Sequence, residues 1–179
     1  MNATTVHLLT GRPGIGKTTA IQRLAERLAD RRIAGFITEE VRVAGTRRGF
    51  RIATFDGREG ILADVELHSR WRVSKYGVDV EGFEHLVCPM LEAAAEEADV
   101  VLVDEIGKME CFSRRFCQAV ERLADGSTPL VATIAARGGG LIASIKQRPD
   151  ARIHTLTLAN RDQMPHTLSE EIARWPSVS

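Results

Sequence analysis

The chain has 179 residues, and its 24 Lys and Arg side chains balance 24 Asp and Glu side chains. This length predicts one domain over residues 1–179, and a net charge of zero argues against a nucleic-acid partner, which an overall basic field would attract. The sequence predicts no membrane helix and no signal peptide, and three cysteines without a CxxC pair are typical of reduced thiols in a cytoplasmic protein.

The first predicted strand, residues 5–9, leads directly into a phosphate-binding loop. Residues 11–18 fit the pattern G-x-x-x-x-G-K-[ST]. The glycines let backbone N–H groups approach phosphate oxygens, Lys17 reaches the β- and γ-phosphates, and the Thr18 hydroxyl binds Mg²⁺. A helix predicted over residues 17–30 places phosphate at its N-terminus, and Gly35 suits a turn out of that helix. The candidate nucleotide-binding residues here are Gly11, Arg12, Pro13, Gly14, Ile15, Gly16, Lys17, Thr18 and Thr19.

Residues 36–65 predict an antiparallel β-hairpin attached to the main α/β unit, because alternating strands flank the turn signal Asp56-Gly57. The hairpin carries four arginines, namely Arg42, Arg47, Arg48 and Arg51. They form either a solvated face or a lip that contacts an anionic ligand. Residues 66–80 give no clear element, and Tyr76 within them either packs in the core or lies beside the nucleotide.

A second helix is predicted over residues 80–98, with Pro89 kinking or splitting it. The following apolar run, residues 99–105, predicts a parallel strand covered on both faces and ends in Asp104 and Glu105. Ligands of parallel sheets bind beyond the carboxyl ends of the strands, so both carboxylates are expected at the edge that holds the phosphate loop. We assign Asp104 to Mg²⁺, as in a Walker B motif, and Glu105 to the attacking water. Lys108 either touches phosphate or is a surface lysine.

The remaining elements alternate in the same way. Ser113 is predicted to cap a helix that ends at Asp125-Gly126, and residues 129–134 form a buried strand in which Thr133 either senses the γ-phosphate or only packs. Arg137 in the next loop is a candidate mobile charge over phosphate. After a last strand at residues 152–158, Asn160 and Arg161 are candidates for base contacts or for a polar turn before a helix at residues 168–174.

Several of these segments together resemble one family, the small thermophile-type, or cancer-related, nucleoside-triphosphatases. The most specific are the Thr-Glu-Glu-Val-Arg run at residues 38–42 and the Asp-Glu-Ile-Gly-Lys-Met-Glu run at residues 104–110. The resemblance covers nearly the whole chain. It implies a RecA-like sheet with added β-structure and slow, Mg²⁺-dependent hydrolysis of several nucleoside triphosphates. It also implies that Asp104, Glu105, Ile106, Gly107 and Lys108 line the nucleotide site.

The sequence thus predicts a three-layer α/β P-loop NTPase with a mostly parallel sheet and an antiparallel hairpin. The strand near Leu130 should lie between the loop strand and the Asp104 strand. Catalysis is assigned to Glu105 and Lys17, and Mg²⁺ binding to Thr18 and Asp104. Two other functions remain open: a P-loop phosphotransferase with a separate acceptor, and a nucleotide-controlled binding module whose protein partner the sequence does not identify.

Overall fold

Five of the predicted strands form neighbouring parallel strands in the computed structural model, which describes residues 6–176. Thr5, predicted to begin the first strand, lies outside the described residues. The strands are β1 (Val6–Thr10), β2 (Ile33–Val43), β3 (Thr46–Thr54), β4 (Glu59–Asp64), β5 (Arg72–Val73), β6 (Tyr76–Val78), β7 (Val100–Ile106), β8 (Leu130–Ile134) and β9 (Ala151–Thr155). The helices are α1 (Lys17–Arg27), α2 (Val80–Glu97), α3 (Arg114–Asp125), α4 (Leu141–Lys146) and α5 (Met164–Ile172), and Glu110–Phe112 forms a 3₁₀ turn.

The nine strands found among the described residues belong to one mixed sheet, in the order β5-β6-β4-β3-β2-β7-β8-β1-β9. The pairs from β2 to β9 are parallel, and β8 pairs with β1 on one side and β7 on the other. This confirms the predicted position of the Leu130 strand. The strands from β3 to β5 are antiparallel, so the antiparallel part is larger than the predicted hairpin.

Strand β2 connects the two halves of the sheet, because it pairs with β7 in parallel and with β3 in antiparallel fashion. Gly35 lies within this strand, opposite Leu102, and the prediction that it turns the chain out of α1 was wrong. Its φ is +127°, and a Cβ atom there would overlap the Leu102 carbonyl oxygen. Glycine is therefore required for the close approach of β2 and β7.

Helices cover both faces of the sheet and give the three layers expected from the sequence. The side chains of α2, α3 and α4 pack on one face, and those of α1 and α5 pack on the other. Helix α2 runs through Pro89 without a break, so of the two predicted effects of this proline, a kink or a split, the split does not occur. Pro89 is exposed, so water can satisfy the carbonyl group that loses its helical partner. None of the helices within the described residues has the length and apolar composition needed to cross a lipid bilayer.

The segment without a predicted element, residues 66–80, contains the short strands β5 and β6. Tyr76 is buried and packs edge-on against Phe50, with ring centroids 5.2 Å apart. Of the two roles considered from the sequence, this residue therefore packs in the core. Several predicted bounds also move: α1 ends three residues earlier than expected, and α5 begins at Met164 rather than Leu168. The cap of α3 is confirmed, because the Ser113 hydroxyl accepts a hydrogen bond from the Phe116 N–H.

Candidate active site

The phosphate-binding loop connects β1 to α1, in the strand–loop–helix setting that the motif requires. Gly14 and Gly16 have φ values of +76° and +107°, which side chains rarely adopt. Ile15 between them is buried against the α1 face of the core and anchors the loop. The Lys17 Nζ atom donates a hydrogen bond to the Gly11 carbonyl, at 3.2 Å, so the ammonium group lies over the concave side of the loop.

Asp104 lies at the end of β7 and brings the second predicted element to the loop. It is buried, and its carboxylate accepts hydrogen bonds from the hydroxyls of Thr18, at 2.7 Å, and Thr133, at 2.5 Å. The Thr38 hydroxyl donates to the Asp104 backbone carbonyl at 2.5 Å, and the Thr38 N–H lies 3.4 Å from the carboxylate. Burial raises the pKa of Asp104, while the Thr133 and Thr18 hydrogen bonds oppose that rise.

Two further acids stand beside Asp104. Burial raises the pKa of Glu105, and the nearby Asp104 charge raises it further. Glu110 is buried, and loss of hydration raises its pKa to about 8. A Cβ atom at Gly107 would lie 2.7 Å from Glu105 Oε1 and 2.9 Å from Glu110 Oε2. The two carboxyl groups therefore converge on this glycine, and a side chain there would require them to shift.

A cavity of about 1150 Å³ unites these groups. From the loop it is lined by Gly11, Pro13, Gly14, Gly16, Lys17, Thr18 and Thr19, and from the strand ends by Thr38, Asp104, Glu105, Lys108 and Glu110. It continues over β3 to Val73 on β5. Of the hairpin arginines, Arg47 and Arg51 line it, whereas Arg42 and Arg48 do not. Both lining arginines also form ion pairs, with Glu40 and Glu39 respectively.

Some candidate residues lie outside this cavity. Ile106 is fully buried in the core under α2 and α3, and Arg12, Ile15, Gly107 and Arg137 are not among the lining residues. The Asn160 side chain closes its own turn, accepting from the Thr157 N–H and donating to the Thr155 carbonyl. This is the polar-turn alternative. Arg161 donates to the Ile15 carbonyl, at 3.3 Å, and so touches the loop from the β9 side.

Two residues at the site received no individual role from the sequence. Thr38 ends the apolar half of β2, and Glu110 closes the Asp-Glu-Ile-Gly-Lys-Met-Glu run. Both residues belong to the two family-specific runs, at residues 38–42 and 104–110, and this membership was the signal in the sequence that could have identified them. Thr133 bonds directly to Asp104, so its hydroxyl has a structural task beyond strand packing.

The oxygen donors at the loop suit a small divalent cation. The Thr18 hydroxyl and the Asp104 carboxylate supply two hard oxygen atoms in contact with each other, and Mg²⁺ typically takes one or two protein oxygens and completes its shell with water and phosphate. Within residues 6–176, no group of three or more His, Cys, Asp or Glu side chains could hold a metal ion. The donor set therefore fits a metal bound jointly with a phosphate ligand rather than a closed protein cage.

A phosphate-binding loop that faces a strand-end carboxylate, on a mixed sheet covered by helices, defines a nucleotide-binding α/β protein. A family model for NTPases matches residues 6–169. The chain therefore belongs to this nucleoside-triphosphatase family and is an enzyme of the hydrolase class, which confirms the resemblance read from the sequence. The described fold agrees with that of solved relatives.

Three relatives illustrate the match. Nucleoside-triphosphatase THEP1 of Thermotoga sp. (strain RQ2) is 45% identical over 157 residues, which cover 88% of this chain and 89% of the relative. The crystal structure of THEP1 from the hyperthermophile Aquifex aeolicus superimposes with a TM-score of 0.85 at 39% identity, covering 94% of this chain and 99% of the other. The solution structure of a human cancer-related nucleoside triphosphatase gives a TM-score of 0.79 at 35% identity, covering 97% and 100%.

Proposed function

We propose that this chain, as a single P-loop NTPase domain with a RecA-like sheet, hydrolyses nucleoside triphosphates to diphosphate and phosphate in an Mg²⁺-dependent reaction. One observation carries the proposal: the Thr18 hydroxyl lies 2.7 Å from the Asp104 carboxylate, in a cavity that also contains Lys17 and Glu105. The names of the relatives, which are nucleoside-triphosphatases, support the same reaction. A cytoplasmic location is proposed with it.

The loop is suited to hold the phosphates. Its backbone N–H groups and the N-terminus of α1 favour anions, and Lys17 exchanges its loop carbonyl partner for phosphate oxygens. Thr18 and Asp104 would hold Mg²⁺, which when bound neutralises charge on the β- and γ-phosphates. Because the Thr133 hydroxyl and the Thr38 N–H also donate to the Asp104 carboxylate, that carboxylate is held in place before the substrate arrives.

Glu105 is the residue that we assign to the attacking water. It follows Asp104 directly, lines the cavity and is partly buried, so its carboxylate can orient a water molecule and accept its proton. Glu110 lies close behind it, across Gly107.

We also propose a loose base preference, which the groups at the β9 side support. Asn160 uses both ends of its amide within its own turn, and the Arg161 guanidinium bonds to a loop carbonyl. A site that reads one base normally presents free donors and acceptors to the base edge. We therefore expect ATP, GTP, CTP and UTP to be hydrolysed at comparable rates.

The test is phosphate release from ATP, GTP, CTP and UTP with and without Mg²⁺, comparing wild type with Glu105→Gln. Loss of a positioned base lowers turnover by about 10²–10⁴-fold, whereas binding of a fluorescent ATP analogue should persist. Glu97→Gln, which changes an exposed glutamate at the end of α2, is the matched control.

Each rival function gives a different outcome. Phosphate release that is unchanged in Glu105→Gln would remove this residue from the water-orienting role. Tight nucleotide binding without release would contradict the hydrolase, and product that forms only with an added acceptor would indicate a phosphotransferase. Slow turnover with nucleotide-dependent capture of a protein would indicate a binding module.

A further inference from the structure

The cavity extends well beyond the place where a triphosphate would lie. The loop follows β1, and Asp104 lies near the end of β7, two strands away in the sheet. Phe50 on β3 is four strands from β1, or about 19 Å at the usual spacing between strands. Leu62 and Val73 lie on β4 and β5, farther still along the sheet. A large part of the cavity therefore lies on the far side of Asp104 and Glu105.

The nucleoside cannot occupy that part if the proposed function is correct. The γ-phosphate then faces Asp104 and Glu105, and the rest of the nucleotide extends from the loop in the opposite direction, toward β9. Arg161 marks that side, because it bonds to the Ile15 carbonyl and its Cδ atom lies near Gly16. We call the remaining space the distal chamber, lined by Arg47, Phe50, Arg51, Leu62, Val73 and Met109.

The distal chamber has an apolar floor. Phe50, Leu62, Val73 and Met109 belong to the edge of the main hydrophobic core and also line the cavity. The Phe50 ring is held edge-on by the buried ring of Tyr76. A rigid aromatic surface of this kind favours a flat apolar ligand, because little side-chain freedom is lost on binding.

The rim of the distal chamber carries cationic groups above its floor. Arg47 shares the carboxylate of Glu40 with Arg42, and Arg51 pairs with two carboxylates, those of Glu39 and Glu59, so these ion pairs balance as a group. The Arg47 guanidinium lies 5.5 Å from the Phe50 ring centroid, over the floor. Lys108 also lines the cavity, and it forms no ion pair within the described part of the chain. An anionic group of a ligand would be favoured at this rim.

We propose that the distal chamber is a second ligand site, which binds a small molecule with a flat apolar body and one anionic group beside the γ-phosphate. Its apolar body contacts Phe50 and Val73, and its anionic group contacts Arg47. The loop and the chamber can be occupied at the same time, because Asp104 and Glu105 lie between them.

The probe is anilinonaphthalene sulfonate, which has a flat apolar body and a sulfonate group. It is titrated by fluorescence into the full chain, with the loop saturated by Mg²⁺ and a non-hydrolysable ATP analogue. We expect saturable binding of one probe molecule per chain. Val73→Arg should abolish that binding, and Arg47→Ala should weaken it about tenfold, the usual effect of losing one charge-assisted hydrogen bond.

Two matched controls separate the chamber from other surfaces. Ile153→Arg changes an exposed residue of β9, at the opposite edge of the sheet. Arg58→Ala removes an arginine that pairs with Asp56 at the hairpin turn. Both should bind the probe as wild type does. Circular dichroism and binding of a fluorescent ATP analogue at the loop show that each variant is folded.

Probe binding that does not saturate, or that is equal in wild type and in a folded Val73→Arg, would overturn the proposal. In a second arm, nucleoside monophosphates and aromatic carboxylates compete with the probe, and displacement by one class identifies the anionic group. Displacement by neither class would contradict the ligand chemistry. Because none of these readouts measures hydrolysis, failure of the second site remains distinguishable from failure of the proposed function.

Discussion

Glu110 should make the protein less stable as pH rises. Its carboxyl group is buried, with 5% of its surface exposed, and burial raises its pKa from 4.5 to about 8. The folded state therefore keeps the proton over a range in which the unfolded chain releases it. Stability falls with pH wherever the unfolded state binds fewer protons, so the loss begins near pH 4.5 and levels off near pH 8.

The magnitude follows from the two pKa values. Each unit of pKa difference corresponds to about 1.4 kcal/mol, so a rise from 4.5 to about 8 gives a total of about 5 kcal/mol. Between pH 5 and pH 8 the loss is about 4 kcal/mol. Glu110→Gln removes the titration and retains a carbonyl oxygen that can accept the Gly107 N–H.

The assay is guanidinium-induced unfolding of wild type and Glu110→Gln at several pH values between 5 and 8. Contributions from other titrating groups largely cancel in the difference between the two curves. We expect Glu110→Gln to gain stability relative to wild type by about 4 kcal/mol over this range. The exposed-surface control Glu97→Gln should keep a constant difference from wild type. A difference that stays constant for Glu110→Gln as well would refute the role assigned to its burial.

Three other changes test the fold and the metal site. Gly35→Ala should lower the free energy of unfolding by about 3 kcal/mol or more, because β2 and β7 would have to separate. The control Gly139→Ala, at a position in open space, should lower it by less than about 0.5 kcal/mol. Equal losses in the two variants would contradict the close approach of β2 and β7. Ser113→Ala removes the N-cap of α3 and should lower the free energy of unfolding by about 1 kcal/mol. Thermal unfolding measures this loss, and an unchanged midpoint would show that the cap is dispensable. Asp104→Asn, or EDTA with wild type, should lower phosphate release by about 100-fold or more, and full activity in EDTA would exclude a required Mg²⁺.

The sequence predicted the centre of this fold well because its signals are local. The loop motif, the apolar strands and the acid pair Asp104-Glu105 are short local patterns. The parallel arrangement places the loop and the acids at one edge of the sheet. The position of β8 between β1 and β7 also followed. These parts depend little on contacts between distant segments.

The errors came from features that only tertiary contacts determine. In the sequence, Gly35 looks like a glycine that ends a helix. The structure requires glycine there because β7 approaches closely, and the contacting residue, Leu102, is 67 residues away in the chain. Strand β5 has only two residues, too few for a periodic pattern. Pro89 is tolerated because it faces water. The burial of Glu110 depends on how the segment after β7 folds back toward Glu105.

Strand β2 runs past both proposed ligand sites. Thr38 bonds to Asp104, and the next three residues of the same strand, Glu39, Glu40 and Val41, line the cavity on the side of the distal chamber. A molecule in the chamber that shifts this strand would change the affinity of the loop for nucleotide. Reciprocity then requires bound nucleotide to change the affinity of that molecule by the same factor. Such a shift of β2 would make the binding of substrate and second ligand cooperative, positively or negatively.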